Sequence, residues 1–228
     1  GSEYIIMEFL AGNRIRGLNS ERVSSAQTTS WQNVSFNASS AVGGATTSGN
    51  TATGGTHWTQ YVRSNEYISP STGGGEIYFT QSASGNASIG YEKSPFNSAP
   101  TAVYTGKDYS FHTTSGSNNM YEHTSDYAGT AWASSTNEFR ITMDSNGLVI
   151  YYWRSGNSGS WTTERTSTVT ASGDYYMAVS PMSGTITCFI KGNVVTSNAL
   201  PNIQDGSIFY ETDNNKSYVL YNGSWTEL

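Results

Sequence analysis

Aromatic, basic and acidic side chains alternate with apolar ones between residues 138 and 154, in two predicted strands. If residues 144–147 form a four-residue turn, Glu138 lies opposite Trp153 and Arg140 opposite Tyr151 on one face of a hairpin. Aromatic rings can stack on the apolar face of a pyranose while a guanidinium and a carboxylate hydrogen-bond its hydroxyls. The pattern therefore predicts a carbohydrate-binding face.

The opposite face of the same hairpin is apolar and is expected to enter the core. The register places three pairs on it: Met143 with Leu148, Ile141 with Ile150, and Phe139 with Tyr152. The polar face has a second interpretation, in which another segment covers it and its rings serve packing only. The sequence leaves both interpretations open.

Further candidate contacts for a carbohydrate lie elsewhere in the chain. Trp58 and Tyr61 flank a glycine-rich stretch, and Tyr121, His123 and Trp132 occur in the polar segment before Glu138. Each of these side chains has a core or surface packing role as its alternative interpretation.

The sequence contains no convincing catalytic arrangement. Glycoside hydrolases use two carboxylates about 5 Å apart, but only Glu211 and Asp213 have a matching spacing here, and they run into an Asn-rich turn. Neither a Ser-His-Asp arrangement nor a nucleotide-binding glycine loop is recognisable. The single cysteine, Cys188, alternates with apolar residues and is expected to be a buried thiol. We therefore expect no enzymatic activity.

We also predict neither a metal site nor a cofactor. The three histidines, His57, His112 and His123, lack the spacing of a zinc motif. Calcium is the one metal that stays open: it needs clustered oxygen ligands, and Asp126, Asp144 and Asp174 are candidates without a recognisable calcium loop.

Composition favours strands over helices. Gly, Ser, Thr and Asn make up 106 of the 228 residues, whereas Leu and Lys are scarce. The 16 Tyr, 6 Trp and 8 Phe residues suit strands and can close a core. We therefore predict an all-β fold, an antiparallel β-sandwich of jelly-roll type.

Charge and hydropathy exclude two classes of partner. The net charge is −6, and Lys and Arg are scattered along the chain. A phosphate-tracking surface needs clustered positive charge, so no nucleic acid partner is expected. No apolar run approaches the roughly 18–20 residues of a membrane helix, so no membrane insertion is expected.

Turn residues divide the chain into three regions. Residues 3–30 are expected to form an N-terminal strand and a polar linker. Turn signals recur about every 8–12 residues between 31 and 195, as in a sandwich. Residues 201–228 are predicted to form a three-stranded β-meander, because Asp205-Gly206 and Asn222-Gly223 favour tight hairpin turns.

Two stretches carry a resemblance to known proteins. The strand-turn-strand of residues 139–152, preceded by Gly75-Glu76-Ile77-Tyr78-Phe79 and Ala87-Ser88-Ile89-Gly90-Tyr91, resembles concanavalin A-like lectin/glucanase sandwiches, including SPRY-like and laminin-G-like members. The terminal segments 9–17 and 205–225 are similar to tail and virion surface proteins of bacterial or archaeal viruses. Fold resemblance does not fix function.

Together the resemblances imply an extracellular, virion surface or tail-associated protein that carries a lectin-like adhesion module and forms a homo-oligomer. Cell-surface or extracellular glycans would be its partners. Two alternatives stay open: a purely structural capsid-decoration or tail subunit, and a glycan-cleaving enzyme of the same fold.

Overall fold

The structure is a computed structural model of the chain. It describes residues 8–10, 14–17, 27–55, 59–82, 86–94, 106–114, 117–123, 125–129, 137–156, 159–196, 206–221 and 224–228. Contacts divide the chain into two units, Gln27–Val194 and a smaller one made of Gly1–Ala26 with Val195–Leu228.

The described residues form strands, joined by turns and two short 3-10 turns at Ala38–Ser40 and Pro70–Thr72. In chain order the strands are β1 Glu8–Leu10, β2 Arg14–Gly17, β3 Gln27–Asn33, β4 Thr46–Ser48, β5 Thr51–Gly54, β6 Val62–Ile68, β7 Gly75–Gln81, β8 Ala87–Lys93, β9 Tyr109–Thr114, β10 Ser117–Glu122, β11 Ser125–Ala128, β12 Asn137–Met143, β13 Val149–Ser155, β14 Thr162–Thr166, β15 Tyr175–Pro181, β16 Gly184–Thr196, β17 Ile208–Glu211, β18 Lys216–Tyr221 and β19 Ser224–Glu227. Within these ranges, no helix has the length and apolar character that a membrane span requires.

The larger unit is a β-sandwich. Its strands follow the order β11-β10-β9-β8-β15-β6-β16-β7-β12-β13-β14, and β3 and β5 also pair with β16. The registers described within this unit are antiparallel. The strands around β8 and β9 pack face to face on those around β7 and β12. The predicted antiparallel all-β sandwich is therefore confirmed.

An aromatic cluster fills the space between the two layers. Phe79 on β7 and Phe139 on β12 stack with their ring centroids 5.1 Å apart. Phe111 on β9 reaches these rings from the other layer, at 6.0 and 5.3 Å, and meets Tyr151 edge-on at 5.3 Å. All four side chains are buried. Stacked and edge-on ring pairs of this kind stabilise a core beyond their buried area.

The smaller unit is one five-stranded sheet in the order β1-β2-β17-β18-β19. Strands β17, β18 and β19 form the predicted C-terminal β-meander. Strand β2 pairs parallel with β17, so that Ile208 lies opposite Arg14. That both ends of the chain share one sheet is not predictable from local sequence, because no turn signal marks a parallel pairing of distant segments.

The β12–β13 hairpin differs from its predicted register by one residue. Met143 lies opposite Val149, and Ile141 lies opposite Tyr151. A shift of one residue moves every side chain of the second strand to the other face. Tyr151, which was predicted on the polar face, is therefore fully buried in the core.

The same shift turns three residues that were predicted to enter the core toward the outside. Leu148 is 41% exposed, and Ile150 and Tyr152 are half-buried. Tyr152 now lies opposite Arg140, in the position that the prediction gave to Tyr151. The predicted pairing of these apolar residues was wrong.

A bulged turn causes the shift. Gly147 has a φ of +79° and donates its N–H to the carbonyl of Asp144 at 3.0 Å. The Asp144 carboxylate accepts from the backbone N–H groups of Asn146 and Leu148 at 2.9 and 2.8 Å. The loop therefore spans residues 144–148, one more than a plain four-residue turn, because the glycine occupies the extra position of a β-bulge.

Two segments rich in small or hydroxylated residues are strands. The end of the segment predicted as a polar linker forms the start of β3, where Thr28 lies opposite Gly192 of β16. The small-residue stretch that follows contains the β4–β5 hairpin, in which Ala52 is fully buried. Small and hydroxylated side chains pair as strands here because β16 supplies a partner edge.

We expect Gly147→Ala to destabilise the protein. A Cβ at this position would lie 2.2 Å from the carbonyl oxygen of Ala171, and a left-handed backbone alone costs a residue other than glycine about 1–3 kcal/mol. The free energy of unfolding, measured by urea denaturation, should fall by more than that backbone cost. Gly156→Ala is the matched control, because Gly156 has a φ of +66° but no atom within 4 Å of its Cβ position. Equal losses for the two variants would contradict this account of the turn.

Candidate functional site

The outer surface of β16, β7, β12 and β13 carries aromatic and charged side chains at alternate positions. Tyr78 lies between Phe189 and Arg140 in adjacent strands, and Arg140 lies between Tyr78 and Tyr152. Alternation along each strand turns these residues outward while their neighbours enter the core. We call this surface the outer row. Its members are Trp31, Tyr78, Tyr152, Trp161, Phe189, Arg140, Arg154 and Lys191.

Tyr78 is the centre of the ring contacts in the outer row. Its centroid is 5.4 Å from Trp31 and 5.2 Å from Phe189, both in tilted arrangements, and 6.1 Å from Trp161, which stands perpendicular to it. Trp31 is 37% exposed and presents the most open of these rings. The rings therefore form a connected surface rather than isolated exposed side chains.

Cations separate and support the rings. The Arg140 guanidinium lies 4.4 Å from the centroid of Tyr152 and 4.7 Å from that of Trp161. Trp161 also contacts the Arg154 guanidinium at 4.5 Å, and Lys191 Nζ lies 5.5 Å from the ring of Trp31. Each cation–π contact contributes about 0.5–2 kcal/mol, depending on its exposure.

Two glutamates hold these cations in place. Glu76 lies between Arg140 and Lys191, with oxygen–nitrogen distances of 3.3 and 3.2 Å. Glu138 is buried, pairs with Arg154 and accepts a hydrogen bond from the Tyr78 hydroxyl at 2.7 Å. Burial, with the adjacent Glu138 carboxylate, raises the pKa of Tyr78 to about 12, so this hydroxyl keeps its proton at neutral pH.

Two polar atoms at the centre of the outer row lack hydrogen bonds within the described part of the chain. They are Arg140 Nε and Glu76 Oε2, and both are buried; Glu76 Oε2 is also the oxygen of the 3.3 Å ion pair with Arg140. Buried polar atoms usually have a partner. A hydroxyl group suits both, because it can accept from the guanidinium N–H and donate to the carboxylate oxygen.

A cleft of about 340 Å³ opens where β7 begins, beside Glu76 and Lys191 of the same surface. Glycines at 73–75 and 192 line it with backbone, and Asp144, Asn193 and Leu148 contribute side chains. Its volume lies near the lower end of the roughly 300–1,000 Å³ that ligand clefts occupy.

The structure separates the residues that were predicted to form the carbohydrate face. Arg140 and Glu138 belong to the outer surface, as predicted. Tyr151 is buried against Phe111, and its hydroxyl donates to the carbonyl of Tyr121 at 3.2 Å. Trp153 is partly buried and packs against the same core. Tyr151 and Trp153 therefore lie on the inner face, because the bulged turn shifts the register of β13.

The other predicted contacts that fall within the described residues lie away from the outer row. Tyr121 on β10 has its ring 5.5 Å from that of His112. His123 follows β10 and pairs with Asp108 at 3.3 Å. Both belong to the layer that contains β9 and β10. Trp58 and Trp132 lie outside the described residues.

Tyr61 belongs to a separate buried cluster and is only 5% exposed. Its hydroxyl donates to the Glu92 carboxylate, and Lys107 Nζ lies 5.6 Å from its ring. Lys107 also donates to Ser180 Oγ at 2.7 Å. Burial lowers the pKa of Lys107 to about 7, against the opposing effect of Glu92, and burial raises the pKa of Glu92. Perturbed groups of this kind also occur in catalytic sites, but here they are enclosed.

The described residues contain no group of three or more His, Cys, Asp or Glu side chains arranged to hold a metal ion. His112 lies opposite Asn119 and does not pair with His123 across the hairpin. Asp144, a candidate calcium ligand, uses one carboxylate oxygen to close its turn. Cys188 is buried, and burial raises the pKa of its thiol.

Most residues of the outer row are absent from the sequence-based prediction. Glu76 and Tyr78 show a usable signal, since they alternate with Ile77 and Phe79 in a predicted strand. Trp31 directly follows the predicted linker, a position that does not indicate a ligand surface. Trp161 shows no comparable alternation in the sequence. It reaches this surface because it directly precedes β14, which pairs with β13.

Comparison with known proteins identifies the fold of the larger unit. No protein-family model matches the chain, and no curated protein matches it. The TRIM65 PSpry domain is similar to it with a TM-score of 0.51 at 11% identity, covering 69% of this chain and 89% of that one. Stonustoxin gives a TM-score of 0.50 at 12% identity, covering 69% of this chain and 28% of that one.

A glycan-bound protein also occurs among the similar structures. The exoplasmic/lumenal domain of VIP36 with Ca²⁺ and Man3GlcNAc gives a TM-score of 0.44 at 8% identity, covering 76% of this chain and 86% of that chain. Likeness at these levels of identity concerns the fold alone. The similarity to the TRIM65 PSpry domain confirms the expected SPRY-like sandwich as a fold, and the similarity to viral tail proteins stays a prediction.

The Lys107 cluster generates a prediction on pH dependence. Its folded-state pKa lies below the unfolded value of about 10.4, so the unfolded chain binds the extra proton between those values. The free energy of unfolding should therefore rise from pH 7 to about pH 9, by at most about 1.4 kcal/mol per pH unit. Lys107→Met should flatten this rise, as measured by urea denaturation at several pH values.

Ser180→Ala is the matched control, because it removes a hydrogen bond to Lys107 but keeps the titrating group. The rise should persist in this variant. A stability that rises equally in Lys107→Met would contradict the assignment to this lysine.

Proposed function

We propose that this protein is a non-enzymatic carbohydrate-binding module that uses the outer row as its ligand surface. The observation that carries the proposal is the connected set of rings around Tyr78, held by cations on the outside of the sheet. Sugars present both apolar faces and hydroxyls, so this mixture of rings and charged hydrogen-bonding groups is complementary to them.

The rings supply the apolar part of the interaction. Trp31 is the most exposed ring, and its tilted contact with Tyr78 limits the conformations that it can adopt. A ring that is already ordered loses little conformational entropy when a ligand stacks on it. Preorganisation of this kind favours the weak, repeated contacts typical of glycan recognition.

The charged residues supply the polar part. Arg140 Nε and Glu76 Oε2 offer one donor and one acceptor that lack hydrogen bonds within the described residues. A ligand hydroxyl can satisfy both atoms after a small movement of the surrounding side chains. Positive and negative groups alternate along this surface, which suits an uncharged ligand.

Binding without cleavage is part of the proposal. Glu76 and Glu138 are both committed to ion pairs with the cations of the outer row. A glycosidase needs one carboxyl group protonated as an acid and a second one free as a nucleophile or base. Neither carboxylate is free of these cations to take up either part, which supports a binding role.

The setting that we propose for this module is motivated by the terminal segments. Their resemblance to viral tail and virion surface proteins supports extracellular display on a virus particle as a homo-oligomer, with cell-surface or extracellular glycans as partners. Display in many copies would raise the avidity of individually weak sites.

Trp31→Ala should weaken glycan binding by about tenfold, equivalent to about 1.4 kcal/mol, because it removes the most exposed ring of the outer row. A glycan array identifies the probe, and isothermal titration with that glycan measures the change. Tyr210→Ala is the matched control, since Tyr210 is similarly exposed at 38% but lies on the separate small sheet. Unchanged binding by Trp31→Ala, or no array hit for the multivalent wild-type protein, would overturn the proposal.

A second function is favoured by the residue types of the outer row. Trp, Tyr and Arg dominate the energetic centres of protein interfaces, so this surface also fits a structural subunit whose copies meet there. In that case Trp161→Ala should shift a trimer or larger assembly toward monomers in analytical ultracentrifugation. A monomeric wild-type protein at high concentration would exclude this alternative.

A further inference from the structure

We infer that the cleft beside Glu76 is a subsite for a single uncharged sugar unit, at the end of a glycan that lies along the outer row. The inference rests on the proposed function and names the part of the ligand that enters the cleft. It is carried by the position of the cleft, its volume, its charges and its exposed apolar wall.

The cleft lies at one end of the outer row. Glu76 and Lys191 line the cleft and also pair with each other on the outer surface. Lys191 lies near the ring of Trp31, and Glu76 contacts Arg140. A ligand stacked along the outer row therefore meets the cleft at one end of that surface.

The volume and the floor of the cleft suit one sugar ring. The cleft holds about 340 Å³, which suits one small ring better than an oligosaccharide. Residues 73–75 and 192 are glycines, so backbone forms part of the lining where other residues would place side chains. Asn193 stands over this floor with its amide close to Gly73.

The charged groups that line the cleft favour an uncharged ligand. The lining carries the carboxylates of Glu76 and Asp144 and the single ammonium group of Lys191. Lys191 is already paired with Glu76 at 3.2 Å. The lining residues alone carry one more negative than positive group, and Arg140 pairs with Glu76 from outside the lining. Asp144 is the carboxylate of the lining that has no cation paired with it among the described ion pairs, and it disfavours phosphate, sulfate or uronic acid groups beside it. Carboxylate and amide oxygens also accept hydrogen bonds from neutral hydroxyls.

One wall of the cleft is apolar. Leu148 is 41% exposed and Ile150 is half-buried, and both line the cleft. The bulged turn turns these two residues outward, since a plain turn would have directed them to the core. Their apolar surface is complementary to the C–H face of a pyranose ring.

The test is a titration of the full ¹⁵N-labelled chain with neutral methyl glycosides of glucose, galactose, mannose and N-acetylglucosamine. Methyl glucuronide is the anionic comparison. With at least one neutral glycoside, the backbone amides of residues 73–75 and of Gly192 should shift saturably. The glucuronide should bind at least about tenfold more weakly to the same amides, because of the carboxylates.

Two cleft variants sharpen the test. Leu148→Ala and Asn193→Ala should each weaken the glycoside by about fivefold or more, because they remove the apolar wall and the amide respectively. Val169→Ala is the matched control, as Val169 is similarly exposed at 39% and does not line the cleft. Its affinity should equal that of the wild-type protein.

The outcomes separate this inference from the proposed function. Shifts at the indole groups of Trp31 and Trp161 without shifts at the cleft would overturn the subsite and leave the outer row as the binding surface. Tighter binding of the glucuronide than of every neutral glycoside would also overturn the uncharged-sugar assignment. Failure of the wild-type protein to bind any saccharide, on the array or in the titration, would overturn both.

Discussion

The register of the β12–β13 hairpin determines both faces of the sandwich, and the turn at residues 144–148 sets that register. Gly147 adds one residue with a left-handed backbone, and the Asp144 carboxylate closes the loop with two backbone hydrogen bonds. Because strand side chains alternate, this single residue exchanges the inner and outer sets of β13. It places Tyr151 in the core and Tyr152 on the outside.

The core and the outer row are therefore two results of one constraint. Inside, Phe79, Phe111, Phe139 and Tyr151 join the two layers through ring contacts at 5.1–6.0 Å. Outside, the alternate residues of the same strands bring Tyr78, Arg140 and Tyr152 into adjacent positions. A tightly packed inner face holds the outer side chains in fixed positions, so the outer surface is ordered before any ligand binds.

Charge placement explains how the outer surface carries charged groups without weakening the fold. Glu138 is buried, and its carboxylate is paired with Arg154 and hydrogen-bonded by Tyr78. Removing one partner would leave a buried charge unpaired, which destabilises a protein. The network therefore keeps these side chains in one arrangement. The enclosed cluster of Tyr61, Glu92 and Lys107 differs, since it lies in a separate part of the sandwich and presents no open ring.

The sequence by itself determined the all-β class, the C-terminal meander and the outward position of Arg140, because composition, Asp-Gly and Asn-Gly turns and period-two alternation are local signals. Only the tertiary structure decided that Tyr151 lies on the inner face and Tyr152 on the outer face. The alternation of apolar and polar residues does not reveal that the turn contains one extra residue. Trp31 and Trp161 contact Tyr78, and Lys191 contacts Glu76, through pairings between strands that are distant in sequence. Such contacts depend on strand order, which local patterns do not encode, and so does the parallel pairing of β2 with β17.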